Sequence, residues 1–115
     1  MNKKAEVEQF LHVLHTIFDG VFTHGSHSYF WHGGCVNEVL NYSLGMGMSD
    51  QTDRVPDLRL FNDSPWTNDQ ARTDAILPLI ISLWDWAEWG DERRMWWTRR
   101  VCYIERGARC TRRHW

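Results

Sequence analysis

The sequence predicts an all-α protein, a compact bundle of about four helices with a long ordered loop between the second and third helices. Apolar residues recur at intervals of three and four in four separate segments, and a glycine follows each segment. With 115 residues, of which 43% are hydrophobic and 24% charged, the composition is typical of a globular protein. We therefore expect a single helical domain covering residues 1–115.

The first predicted helix spans residues 3–18. Glu6 and Glu8 lie near its start, where negative charge complements the helix dipole. Gly20 is expected to end it. Its apolar residues lie three and four positions apart: Val7, Phe10, Leu11, Leu14, Ile17 and Phe18.

Residues 23–34 combine aromatic residues, histidines and glycines, a composition that predicts an ordered but irregular loop. Gly33 and Gly34 precede a short second helix. This helix carries Val36, Val39 and Leu40 on one face, and the same face continues to residue 44. The glycines at positions 45 and 47 are expected to stop it.

Residues 46–72 form the predicted long loop, which is rich in short polar side chains and contains two of the three prolines. Leu58, Leu60 and Phe61 alternate around Arg59, which predicts one extended apolar anchor. Short polar side chains bond nearby backbone amides, so four of them are expected to fasten the loop. These are Asn62, Asp63, Ser64 and Asn68.

The third helix is predicted for residues 73–90 and forms the centre of the core. Thr73 or Asp74 is expected to cap it, and Pro78 to bend its first turns. Its predicted inner residues are Ile76, Leu77, Ile80, Ile81, Leu83, Trp84 and Ala87.

A fourth helix is predicted for residues 91–106, with Trp97, Val101 and Ile104 on one face. Residues 107–115 are basic and lack apolar periodicity, so we expect a flexible tail that folding does not require.

Charge is distributed unevenly along the chain. Residues 1–92 hold 5 Lys and Arg against 14 Asp and Glu, whereas residues 93–115 hold 8 Arg against one Glu. The basic end therefore meets either the acidic body or a phosphate-bearing partner. Three cysteines without a CxxC pair favour a reducing cytoplasm, and no apolar run is long enough to predict a membrane span.

From Cys35 onward, the order of features resembles a family of small phage and prophage proteins of unknown function. The matching pieces are Gly33-Gly34-Cys35, Phe61-Asn62-Asp63 and Arg72-Thr73, which precede an apolar helix and cover roughly the middle half of the chain. The spacing between Asp63 and Arg72 is longer than in the family, and the end from Trp84 onward has no counterpart there. The resemblance implies a viral or prophage origin, and its Asn-Asp and Arg-Thr pairs look structural.

Four side chains that can bind zinc lie within twelve residues: His24, His27, His32 and Cys35. Their H-x2-H-x4-H-x2-C spacing matches no standard structural zinc motif. The alternative is that the histidines hydrogen-bond to backbone groups in an ordered loop.

A second candidate is an anion site at the start of the second helix, where Gly34 leaves backbone amides accessible. No Walker-type phosphate-binding loop is present. Two glycines before a helix are also common where no ligand binds.

The third candidate is an aromatic site with positive charge. Trp86 and Trp89 fall outside the predicted core face and are followed by Arg93 and Arg94, a combination that suits a nucleobase and its phosphate. We expect these residues to form a pocket together with the loop rings Tyr29, Phe30 and Trp31. The alternative is ordinary core packing, with arginines stacked on the rings.

The sequence contains no catalytic signature, so we predict a binding protein and not an enzyme. The most concrete hypothesis is a phage-encoded cytoplasmic protein that captures a host protein or a nucleotide-like immune signal and inhibits a host defence process. The alternatives are a nucleic-acid-binding accessory protein that uses the Arg- and Trp-rich end, and a zinc-binding domain. A homo-oligomer is compatible with each of them.

Overall fold

The computed structural model describes residues 2–106, with side chains as far as Arg100. The all-α prediction is confirmed. The described residues form five helices, namely α1 (Lys3–Ile17), α2 (Val36–Ser43), α3 (Arg59–Asn62), α4 (Asp69–Ser82) and α5 (Asp91–Arg106). Two short 3-10 turns lie between helices, Phe30–His32 between α1 and α2 and Trp86–Glu88 between α4 and α5.

The apolar core lies where α1, α2 and α4 meet. Trp84, predicted to be a core residue, is buried, and its ring packs edge-on against Phe10 with 5.3 Å between the ring centroids. The buried apolar side chains are Phe10, Val13, Leu14, Phe18, Phe22, Val36, Val39, Leu40, Val55, Leu58, Ile76, Ile80, Leu83 and Trp84.

The predicted bounds of the central helix are wrong at both ends. The helix begins at Asp69 because Asn68 caps it, its side-chain oxygen accepting a hydrogen bond from the Ala71 amide at 2.8 Å. It passes through Pro78, ends at Ser82 and is followed by the turn Trp86–Glu88. Ala87 is therefore exposed and does not belong to the core face.

The expectation of an extended anchor around Arg59 is also wrong, because Arg59–Asn62 form one helical turn. Leu58 is fully buried just before this turn, whereas Leu60 is exposed. The predicted basic tail, residues 107–115, lies outside the described residues. Within the described chain, none of the helices combines the length and apolar character that crossing a membrane requires.

Candidate functional site

A buried carboxylate organises the loop that precedes α2. Glu38 is 1% exposed, and its two oxygens accept hydrogen bonds from the backbone amides of His27, at 2.6 Å, and Cys35, at 2.9 Å. The Nδ1 atom of His27 lies 2.8 Å from the same carboxylate. One side chain on α2 therefore fixes both ends of the segment from His27 to Cys35.

The second ring nitrogen of His27 lies 3.2 Å from the Thr23 hydroxyl. With the proton on Nδ1, the order carboxylate, imidazole and hydroxyl matches that of a hydrolase triad. Gly33, however, packs so closely on Thr23 that a Cβ atom at Gly33 would lie 2.6 Å from the hydroxyl oxygen. Because Gly33 packs closely on one side of this hydroxyl and Thr23 is half-buried, we interpret the chain of hydrogen bonds as structural.

Side chains from α3 and α4 extend the same network. The Asn62 side chain accepts from the Val36 amide at 3.0 Å and donates to the Thr23 carbonyl at 2.9 Å. Arg72 donates from Nε to the Asn62 carbonyl at 2.6 Å. Thr73 joins the network because its hydroxyl accepts a hydrogen bond from the Phe22 amide. We call the five side chains of this network the polar brace: His27, Glu38, Asn62, Arg72 and Thr73.

The polar brace explains the Asn-Asp and Arg-Thr pairs that the sequence singled out. Asp63 accepts from the Gly25 amide at 2.8 Å, and the Thr73 hydroxyl accepts from the Phe22 amide at 2.8 Å. Both bonds join the loop after α1 to a later part of the chain. The expectation that these pairs are structural agrees with this geometry.

The predicted zinc ligands His24, His27, His32 and Cys35 do not form a metal group in this structure. Within residues 2–100, whose side chains are described, no three His, Cys, Asp or Glu side chains are placed to hold a metal ion. His27 already uses both ring nitrogens, one toward Glu38 and one toward Thr23. The donor set therefore does not fit a resident zinc ion.

Cys35 is buried, with 2% of its surface exposed, and this burial changes the chemistry of its thiol. Desolvation raises the pKa of its thiol to about 12, so the group stays protonated at neutral pH. A protonated thiol is neither an efficient nucleophile nor a metal ligand. Cys35 instead occupies the N-cap position of α2.

The predicted anion site near Gly34 is filled by the protein itself. Of the first amides of α2, that of Cys35 donates to the Glu38 carboxylate and that of Val36 donates to Asn62. Gly34 has little free space, because a Cβ atom there would lie 2.8 Å from the Phe18 ring. A protein carboxylate thus takes the position at which a ligand phosphate was expected.

Three rings project from the segment that we call the aromatic loop, Tyr29, Phe30 and Trp31. Their exposed fractions are 53%, 36% and 63%. Tyr29 and Trp31 stack with 4.6 Å between ring centroids and 10° between ring planes, and Phe30 meets Trp31 edge-on at 5.1 Å. The rings therefore hold one another in place while facing solvent.

A cavity of about 400 Å³ opens beside the aromatic loop. We call it the loop cavity. Its walls combine apolar, aromatic and acidic side chains, and none of the described residues that line it is Lys or Arg. The lining residues are Ile17, Phe18, Asp19, Val21, Thr23, Phe30, Trp31, His32, Gly33 and Asp69.

A second aromatic cluster lies in residues 86–100, here called the Trp–Arg segment. Trp86 contacts Trp89 and Trp97, with ring centroids 5.2 Å and 5.3 Å apart. All three rings are half-buried and pack against the core, so the expectation that Trp86 and Trp89 lie off the core is wrong. The hydrogen bond from the Trp89 indole lowers the pKa of the Asp85 carboxyl.

Arginines cover the rings of this segment. The Arg93 guanidinium lies 3.7 Å from the centre of the Trp89 ring, and that of Arg94 lies 5.4 Å from the centre of the Trp86 ring. Arg94 also donates to the carbonyls of Trp86 and Ala87, at 3.1 Å and 2.6 Å. Arg94 therefore fastens the 3-10 turn to α5, whereas Arg93 is exposed.

The structure brings Trp86, Trp89, Arg93 and Arg94 together, as the sequence suggested, and keeps Tyr29, Phe30 and Trp31 together elsewhere. Within the described part of the chain, no ring contact joins the two groups. The loop cavity is lined by Phe30 and Trp31 without Trp86 or Trp89. The joint pocket expected from sequence is therefore not present in this structure.

Sequence reasoning missed the acidic residues of the loop cavity, Asp19 and Asp69. Asp19 has a positive φ of 58°, and its signal was its position beside Gly20 at a helix end. Asp69 falls in the predicted long loop because the predicted central helix starts four residues after the observed start of α4.

No family model, curated protein or solved structure gave a match to this chain when compared with it.

Proposed function

We propose that this chain is a small binding protein of phage or prophage origin that captures a host protein and inhibits a host defence process in the cytoplasm. The observation that supports capture is the aromatic loop, in which Tyr29, Phe30 and Trp31 are exposed but mutually packed. Tyr and Trp are over-represented among residues that dominate binding energy at protein interfaces. The phage origin rests on the family resemblance of the middle of the chain.

Preorganisation supports the same proposal. The segment that carries the aromatic loop is fixed at His27 and Cys35 by the buried Glu38 carboxylate. A loop held before binding loses less conformational entropy when a partner docks. The polar brace thus favours binding by holding the aromatic loop in place, and its own side chains make no contact with the partner.

Affinity capture from a host-cell lysate tests the proposal. We expect the wild-type chain to enrich a host protein, and the double variant Tyr29→Ala, Trp31→Ala to lose it. Trp96→Ala is the matched control, because Trp96 is also exposed, at 57%, but lies on α5. Enrichment of the same proteins by all three chains would contradict capture through the aromatic loop.

The Trp–Arg segment favours a second candidate, binding of a nucleic acid or of a nucleotide-like signal. Three guanidinium groups lie over indole rings there, in the pairs Trp89 with Arg93, Trp86 with Arg94 and Trp96 with Arg100. Nucleic acid bound through several arginines should dissociate steeply as salt rises, because counterions are released on binding. A single nucleotide should instead raise the melting temperature with a weaker dependence on salt.

A further inference from the structure

We propose that the loop cavity binds the guanidinium group of an arginine side chain on the captured host protein, an inference that rests on the proposed function. A cavity of about 400 Å³ falls within the range of small-ligand sites. An arginine side chain is long enough to enter such a cavity while its own backbone stays outside.

The aromatic wall is suited to a planar cation. Trp31 lines the cavity, whereas its stacking partner Tyr29 does not. Tyr29 stacks on one face of the indole, and Phe30 and His32 meet the same ring in edge contacts, with ring centroids 5.1 Å and 5.8 Å away. The cavity is therefore lined by the part of the indole that these rings leave uncovered. Guanidinium groups stack on indole faces through the negative potential of the ring, and stack better than ammonium groups because they are planar.

The charge of the cavity selects the same ligand. Asp19 and Asp69 both line it. One oxygen of Asp69 pairs with Arg72, which is buried and does not line the cavity. Asp19 is exposed, and its carboxylate has no hydrogen bond or ion pair with the residues that the structure describes. A cation that enters would therefore meet an unpaired carboxylate, whereas a phosphate would be repelled.

Asp19 is also fixed in place. It follows the end of α1 in the left-handed backbone region, with φ of 58°, and the amide of Gly20 after it bonds the Leu14 carbonyl at 2.8 Å. Aspartate and asparagine tolerate this conformation better than most residues. Asp19→Asn therefore removes the charge and keeps the backbone, which makes it the variant of choice.

The test uses two short peptides, acetyl-Gly-Arg-Gly-amide and the same peptide with citrulline, which is neutral and nearly the same shape. Binding to the full chain is followed at pH 8 by the NMR signal of the Trp31 indole N–H. We expect the arginine peptide to bind about tenfold more tightly than the citrulline peptide.

Asp19→Asn and Trp31→Ala should each remove most of this preference. Matched controls are Asp53→Asn, an exposed carboxylate on the long loop, and Leu60→Ala, an exposed apolar side chain on α3; both should keep it. Equal affinity for the two peptides, or equal losses in the matched controls, would overturn the inference.

The outcomes separate this inference from the function on which it rests. If the aromatic loop captures a host protein but the two peptides bind equally, the arginine site is wrong and the capture function stands. If the lysate experiment enriches no partner, the capture function fails, and the peptide titration still decides whether the cavity prefers a guanidinium group.

Discussion

Around the start of α2, buried side chains from distant parts of the chain hold the loops, whereas in the Trp–Arg segment half-exposed rings are held by arginines a few residues away. The Phe22 amide reaches Thr73 across 51 positions, but Arg93 stacks on Trp89 across only four. Buried polar groups are costly when a partner is lost, and exposed ring and guanidinium pairs are not. Mutations should therefore be severe in the first region and mild in the second.

The largest effect is expected for Glu38→Ala. The change leaves the part-buried amide of His27 and the buried amide of Cys35 without their acceptor, so the free energy of unfolding should fall by about 3–5 kcal/mol. Urea denaturation followed by circular dichroism measures it. Glu88→Ala, in an exposed turn, is the control and should stay within about 0.5 kcal/mol of wild type. Equal losses in the two variants would mean that the brace does not stabilise the fold.

A smaller loss is expected for Asn62→Ala. The change removes the acceptor of the Val36 amide and the donor to the Thr23 carbonyl, both within the brace. We expect a loss of about 2–3 kcal/mol in urea denaturation. Gln70→Ala is the control, because this exposed side chain bonds only Asp74 among the residues that the structure describes. If the urea midpoint of the Asn62→Ala variant equalled that of the wild type, the Asn62 bonds would not stabilise the fold.

The contrast between the two regions also explains what the sequence could predict. Helices α1, α2 and α5 follow from local periodicity and glycine punctuation, and the ring and guanidinium pairs follow from short spacing. The long-range bonds of the polar brace join residues 10 to 51 positions apart, and residue types alone do not reveal such pairings. Glu38 in particular gave no signal, because a glutamate in a first helical turn is ordinarily exposed.

The same reasoning applies to the candidate sites. The spacing of His24, His27, His32 and Cys35 suggested a metal, but Glu38 and burial gave two of these residues other roles. The aromatic loop and the Trp–Arg segment were each recognised from composition. Whether they meet depends on how α2 and α5 pack, and local sequence does not determine that packing.

The ion pair between Arg54 in the long loop and Glu6 in α1 should weaken in acid. Glu6 accepts from Arg54 at 2.7 Å and from the Trp84 indole at 3.2 Å, and the bond from Arg54 lowers the pKa of Glu6 below 4.5. The stability it contributes is therefore present above about pH 4.5 and is lost as the pH falls through the lowered pKa. Wild type and Glu6→Gln should differ in urea midpoint at pH 7 and converge toward pH 3; a difference that grows with acid would contradict this assignment.

The smallest effects are expected for Arg93 and Arg94 of the Trp–Arg segment. Comparing the two variants tests whether hydrogen bonds stabilise this segment, as they do in the polar brace. Arg94 donates to two backbone carbonyls, so Arg94→Gln should lower the free energy of unfolding by about 1–1.5 kcal/mol. Arg93 is exposed, stacks on the Trp89 ring and attracts the Asp85 carboxylate through its charge, so Arg93→Gln should cost about 0.5 kcal/mol. If the segment binds nucleic acid, each change should lower the slope of the logarithm of the binding constant against the logarithm of the salt concentration by about one, whatever its effect on folding. Equal stability losses would show that Arg94 does not fasten the turn to α5, and the segment would then be held by its rings alone.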